Sequence, residues 1–201
     1  MKNYKIYKNV KIGRNCFIGD YVIIGIPPGN KKNGELQTII GDNAVIRSHT
    51  VIYAGNNIGD RFNTGHHVMI REKNIIGNNV SIGTNSIIEH HINIGNNVRT
   101  QANCFIPEYS LLEDDAWLGP NVVITNARYP RSKNVKENLK GAIIKKFAKI
   151  GANTTILPSL EIGENSLIGA GSLISKNIPA GVVAYGSPAV VHKKIDDLGE
   201  Y

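Results

Sequence analysis

The sequence predicts an all-β chain wound as a parallel β-helix, a hexapeptide-repeat solenoid, and three features carry that prediction. Aliphatic residues recur every six positions from Ile40 through Ile46, Ile52, Ile58, Ile70, Ile76, Ile82, Ile88, Ile94, Ile106, Leu112 and Leu118 to Ile124, with Thr64 and Thr100 the two departures. Glycine often follows the anchor, as at Gly41, Gly59, Gly65, Gly77, Gly83, Gly95 and Gly119. The fourth residue after the anchor is usually small or β-branched, as at Ala44, Thr50, Val68, Ser86 and Ala116. A six-residue unit is too short for a helical stripe and buries no core alone. Short flat strands stacked coil upon coil, however, line one shaft with the anchor and the small residue.

Taken in order, Ile12-Gly13, Ile18-Gly19 and Ile24-Gly25 open the first hexads, and the residues before Ile12 are expected to form a partial coil. Over 26–38 the run Ile26-Pro27-Pro28-Gly29-Asn30 breaks the register, because proline cannot donate to a ladder and proline–glycine sequence turns. A basic surface loop is expected there. From Ile40 the hexads continue to Ile124, where a second loop is expected over 126–143. A loop of that length inside a compact repeat tends to be functional. Its Arg128, Tyr129 and Arg131 suit a lid over an anionic ligand. Hexads resume at Ile144 and run through Ile150, Ile156, Ile162 and Ile168 to Ile174, which makes 1–189 one domain. The last coil would otherwise expose unpaired strand edges, so 190–201 is expected to cap it as a short helix or an extended tail.

The chain has 201 residues, and its 23 Lys and Arg against 16 Asp and Glu leave a net charge of +7. That excess favours anionic ligands such as phosphate-rich cofactors or nucleotide sugars. Nucleic acid is not an expected partner, since the basic residues are scattered and aromatics make up 6% of the chain. No apolar run is long enough for a membrane span. The segment Met1-Lys2-Asn3-Tyr4-Lys5-Ile6 is not followed by a signal-peptide core, so the expected location is cytoplasmic. Cys16 and Cys104 occupy the same repeat slot, four residues after Ile12 and Thr100, and read as small inward residues rather than a disulfide or zinc framework.

This pattern resembles the left-handed parallel β-helix acyltransferases. The resemblance implies three hexads per triangular coil, left-handed winding, and a homotrimer with active sites between subunits. An eighteen-residue coil then stacks His49, His67, Asn85, Asn103 and Asn121 on one corner, about 5 Å apart per coil. Most corner asparagines serve the backbone, because Asn tolerates left-handed turns. The ladder holding His49, His67 and Asn85 is singled out because it puts two imidazoles and a carboxamide on one edge. The loop after Ile124 is expected to leave the shaft close to that edge. His66 points off the corner, and His90 and His91 belong to another edge and read as surface residues.

A narrower resemblance rests on Leu118-Gly119-Pro120-Asn121, Thr125-Asn126 and Pro130-Arg131-Ser132. This is similar to the loop entry of N-acetyltransferases that act on UDP- or dTDP-linked amino sugars, and it extends from about Ile76 to Ala189. It implies acetyl-CoA as acyl donor and places Asn85 near the amine. The family's loop usually has Asp after Thr-Asn, where this chain has Ala127. Asn103, Glu89, Asn126, Arg128, Tyr129 and Arg131 are the implied acceptor contacts. Gly119, Lys149, Ala152, Gly169, Ala170, Gly171 and Lys176 are the implied coenzyme contacts.

The chemistry asks for an amine held in line with a thioester carbonyl and for donors to the developing oxyanion. Asn85 has no base function near neutral pH and would orient the amine through its side-chain oxygen. Histidine as a residue type can deprotonate a hydroxyl or ammonium group, and His67 in that role is the reading for O-acetylation of a sugar or serine hydroxyl. A metal-dependent protein like the γ-class carbonic anhydrases is a further alternative through His49 and His67, but no third ligand is evident and no metal is expected. A non-catalytic scaffold is the last alternative.

Overall fold

In the computed structural model, which describes residues 3–199, the repeat folds as a left-handed parallel β-helix of triangular coils. Among the described residues three parallel sheets form the faces. Sheet 1 has nine strands from Lys5–Ile6 to Leu173–Ile174, and sheet 2 has eight from Val10–Ile12 to Glu161–Ile162. Sheet 3 starts at Phe17–Ile18 and has ten strands, ending in the hairpin Val182–Gly186 and Ala189–Lys194. Most strands are two residues long, because only the anchor and the residue before it are extended between corners. Register is one coil per step, as in Ile70 opposite Ile52 and Ile88.

Every anchor from Ile40 to Ile124 is at most 3% exposed, Thr64 and Thr100 included. The two threonines keep their hydroxyls satisfied: Thr64 Oγ1 accepts the Arg47 N–H at 3.0 Å, and Thr100 Oγ1 accepts that of Gly83 at 3.3 Å. The second inward slot holds larger groups than its usual small residues at Phe62 and Ile92, and buried amides at Asn56 and Asn74. Those amides form a ladder. Asn56 Oδ1 accepts the Asn74 N–H at 2.9 Å, Asn74 Oδ1 accepts that of Ile92 at 2.8 Å, and their Nδ2 groups donate to Arg71 O at 2.8 and 2.9 Å. A buried polar group is tolerable when each of its hydrogen bonds is made.

Corners turn through left-handed backbone. His49, His67, Asn85, Asn103 and Asn121 have φ of 63°, 56°, 58°, 61° and 59°, a region that Asn enters more readily than most residues. Glycine after the anchor reflects close approach of the next coil: a Cβ on Gly83 would lie 2.2 Å from the Gln101 carbonyl carbon. On the corner between sheets 2 and 3, Asp60, Asn78, Asn96 and Asp114 each accept the backbone N–H of Asp42, Asp60, Asn78 and Asn96 respectively, at 2.7–2.9 Å.

Both interruptions are inserted without breaking the sheets, since Ile12 pairs with Ile40 and Leu112 with Ile144. Their bounds are narrower than 26–38 and 126–143, because Ile26, Thr38 and Ile143 lie in strands. The second loop contains one 3-10 turn, Val135–Asn138. The cap also differs from expectation. It is an antiparallel hairpin that begins at Val182 and is followed by the 3-10 turn Ile195–Leu198, with Ile195 2% exposed. A boundary at 190 would cut that hairpin, whose first strand completes sheet 3 against Leu167–Ile168. Met1 and Lys2 of the first domain, and Glu200 and Tyr201 of the cap, lie outside the described residues. No helix among the described residues is long and apolar enough to cross a membrane.

Replacing Asn74 by Ala leaves the Ile92 N–H without its acceptor, and urea unfolding should show a loss of about 1–3 kcal/mol. An unchanged midpoint would contradict the ladder's structural role. Cys104 is 1% exposed and burial pushes its thiol up to about 11, whereas Cys16 is half-buried. Titration with a thiol reagent should count one reactive cysteine in the native protein and two after denaturation; two fast native thiols would contradict this placement.

Candidate active site

Two separate edges of the triangle carry the candidate residues. The corner between sheets 3 and 1 holds His67, Asn85 and Asn103, all exposed, and continues through Gly119, Ala152, Gly169, Ala170 and Gly171. The rings of His49 and His67 stack at 4.5 Å between centroids and 16° between planes, with Tyr21 4.9 Å from His49. Among the described residues neither the His67 ring nor the Asn85 carboxamide has a hydrogen-bond partner. His66 is held differently, with Nδ1 2.7 Å from Ser48 Oγ. An open groove of ≈ 330 Å³ on sheet 3 is lined by Arg47, Gly65, Gly83, Thr84 and Arg99 among others.

The implied coenzyme residues divide. Gly119 is buried, and a Cβ there would sit 2.8 Å from the Ala152 nitrogen, so its size is demanded by coil stacking. Gly169 lies under Tyr185 of the hairpin, where a Cβ would come within 2.7 Å of the Tyr185 Cβ. Ala170 and Gly171 are exposed, and Gly171, at φ 71°, opens on free space. Lys149 stands on sheet 3 beside this edge, donating to Phe147 O at 3.3 Å and Asn165 Oδ1 at 3.4 Å. Lys176 follows Ile174 of sheet 1 and so belongs to the other edge.

That other edge, between sheets 1 and 2, is where the long loop leaves. The expectation that it departs close to His67 and Asn85 is corrected here: Ile124 ends a strand of sheet 1, and the chain has crossed that face before it turns outward. At ~3.3 Å per residue, six residues of one face separate the edges by at most about 20 Å. Glu89, Asn126, Arg128, Tyr129, Arg131 and Lys176 are therefore on one edge, and His67, Asn85 and Asn103 on the other.

The second edge is the more densely bonded. Glu72, His90, Glu108 and Asn126 stack in register, each two residues after an anchor. His90 Nε2 lies 3.5 Å from Glu108 Oε1, and Asn126 Nδ2 donates to Glu108 Oε2 at 2.5 Å. Arg71 donates to Glu72 at 2.9 and 3.1 Å and to Glu89 Oε2 at 3.4 Å. Burial pushes the Glu89 carboxyl above the usual carboxylate range, with Arg71 opposing and Glu108 adding to the rise. Burial also raises Glu72, but hydrogen bonds from Arg71 and from its own backbone outweigh that, and it titrates below the usual range.

Above this ladder the loop leaves two cavities that share Arg128. One, of ≈ 260 Å³, has the apolar wall Leu157, Pro158 and Leu160; the other, of ≈ 370 Å³, lies against Tyr129, Lys133 and Val135. Arg128 reaches the Tyr129 ring at 6.0 Å. Tyr129 is 67% exposed, and Arg131 is exposed and lines neither cavity. Among the described residues no group of three or more His, Cys, Asp or Glu is arranged to hold a metal ion. Sequence reasoning set His90 aside as surface and did not single out Glu108. The signal was available in the eighteen-residue spacing Glu72, His90, Glu108, Asn126, which stacks a base on a carboxylate.

Comparison with known proteins gives this architecture its family. Residues 141–176 match the bacterial transferase hexapeptide model, and residues 9–31 and 73–107 match the hexapeptide repeat of succinyl-transferase. A putative acetyltransferase of Saccharomyces cerevisiae is 32% identical over 204 residues, covering 96% of this chain and 84% of the yeast protein. A galactoside O-acetyltransferase of Lactococcus lactis is 43% identical over 83 residues, 39% of this chain and 40% of its own length. The chain spans between 31% and 50% of the length of the first curated relatives it matches. Among solved structures, a hexapeptide-repeat containing acetyltransferase from Vibrio cholerae shares the fold, with a TM-score of 0.53 at 19% identity over 59% of this chain and 72% of that one. By its repeat, its coil geometry and a likeness that runs nearly end to end, the chain belongs to the hexapeptide-repeat acetyltransferase family.

Proposed function

We propose that the chain transfers an acetyl group from acetyl-CoA to an amine of a nucleotide-linked sugar, in a site formed where two copies meet. The observation that carries this reading is His90 set against Glu108, itself held by Asn126 at the root of a cationic loop. A carboxylate behind an imidazole orients it and stabilises the charge it gains. Arg128, Tyr129 and Arg131 supply positive charge and an aromatic face for an anionic, ring-bearing acceptor such as a nucleotide sugar. Acetyl-CoA fits the opposite edge, where Ala152, Ala170 and Gly171 leave open backbone and Lys149 stands nearby for a phosphate. Gly119 is buried and Gly169 is covered by Tyr185, and Lys176 lies on the other edge of the same copy.

Both edges border sheet 1, whose outward residues Val51, Met69, Ile87, Phe105 and Val123 form an apolar ladder. A homotrimer packed over this face would bring the coenzyme edge of one copy to the loop edge of the next. Asn85, with Asn103 above it, then orients the acceptor nitrogen, and His67 is the rival base on that edge. Both the donor and a nucleotide sugar are expected in the cytoplasm, which is the setting proposed. A hydroxyl acceptor is the second reading, favoured by the 43% identity to a protein named galactoside O-acetyltransferase.

Thiol release from acetyl-CoA, measured with UDP- and dTDP-linked amino sugars and their hydroxyl counterparts, separates the two. The amine reading expects release with amino sugars alone and Asn85→Ala more damaging than His67→Ala. Release with hydroxyl acceptors alone would replace it by O-acetylation, and silence with every acceptor would overturn both.

A further inference from the structure

The edge that carries His90 holds a second imidazole in direct contact with it. His91 Nδ1 lies 2.8 Å from His90 Nδ1, with the rings edge to face at 86°. Two ring nitrogens that close must share one proton, so one is N–H and the other a lone pair. The Glu108 carboxylate on the far side of His90 draws the proton to His90 Nε2. His90 Nδ1 is then the acceptor and His91 Nδ1–H the donor. That leaves His91 Nε2 with its lone pair at the outer end of the chain of contacts, on an exposed corner residue.

We propose that His91 is the terminal proton acceptor of a two-histidine relay, His91–His90–Glu108, for the acetyl transfer proposed above. The inference rests on that reading for its reaction and on the contacts above for its geometry. As the acceptor oxygen or nitrogen attacks the thioester carbonyl, its proton passes to His91 Nε2. The His91 Nδ1 proton moves toward His90, and the positive charge is shared with the imidazole that faces Glu108. When the tetrahedral centre collapses, the carbon–sulfur bond breaks, and the departing thiolate takes the proton back from His91. The products are the acetylated acceptor and free thiol, and the relay returns to its starting tautomers.

The surroundings favour a neutral His91 before reaction. Burial holds its pKa below the ordinary histidine value, with His90 and Lys73 lowering it further and Glu72 and Glu108 opposing them. Tyr109, one coil above, faces its ring at 5.7 Å and 32°. Asn126 fixes Glu108, so the loop that closes over an acceptor also sets the anchor of the relay. With the His91 pKa held below the ordinary histidine value, kcat should rise with pH to a plateau whose midpoint lies below that of an ordinary histidine.

The test combines ring-nitrogen NMR of the full chain with kinetics. Long-range nitrogen–proton spectra, assigned with His90→Gln and His91→Gln, should show His91 protonated on Nδ1 and His90 on Nε2. With the acceptor that supports thiol release, His91→Gln should lower kcat by about 10²–10⁴-fold, the range of general-base catalysis, with the KM for acetyl-CoA within about twofold. Glu108→Gln should move the acid limb of the kcat profile to lower pH, a shift that a merely structural role would not produce. His91 found protonated on Nε2, or a wild-type kcat for His91→Gln, overturns the relay. If the wild-type protein releases thiol with no acceptor, the proposed function fails, and the tautomers still decide the relay.

Discussion

Flush stacking of coils is the constraint on which the rest of the structure depends. Each coil hands its backbone hydrogen bonds to the next at about the same distance, as in Gly59 N to Ile76 O at 2.9 Å and Gly77 N to Ile94 O at 2.8 Å. That transfer works only if the three corners of every coil superpose. Left-handed corner residues, a close-approach glycine after many anchors, and inward slots filled to a common depth are all ways of meeting it. Where a slot takes a polar group, the same rule makes the group bond along the stack, which is why Asn56 and Asn74 lie buried without being orphaned.

Superposition also governs the chemistry. Any residue type repeated at eighteen positions becomes a ladder, so functional groups gather on edges rather than in an enclosed pocket. His49 and His67 stack face to face because nothing between them separates one coil from the next. His90, Glu108 and Asn126 are joined through side chains instead, and that difference distinguishes a row of exposed rings from an arrangement that can hold a proton in a defined place.

Sheet 1 lies between these two edges and presents hydrophobic side chains outward along several coils. A face of that kind, with an open backbone-lined edge on one side and a cationic loop on the other, is suited to association that completes a site.

The hexad period by itself determined the coil, the two interruptions and the corner positions. It could do so because a six-residue repeat with one aliphatic anchor has few ways to bury that anchor, and proline and glycine mark where the ladder stops. Combined with the three hexads per coil that the resemblance implies, it also placed His67, Asn85 and Asn103 on one stack. The loop was assigned to the His67 edge in error, since eighteen-residue spacing puts Ile124 on the face of Ile70, Ile88 and Ile106, whose next corner is that of His91 and Tyr109. The side-chain contacts of His90 with Glu108 and His91, the covering of Gly169 by Tyr185, and the hairpin that closes sheet 3 were decided by tertiary structure, although eighteen-residue spacing already put His90 and Glu108 on one edge. Each depends on side-chain direction or on a chain reversal, and neither is written in the spacing of the anchors.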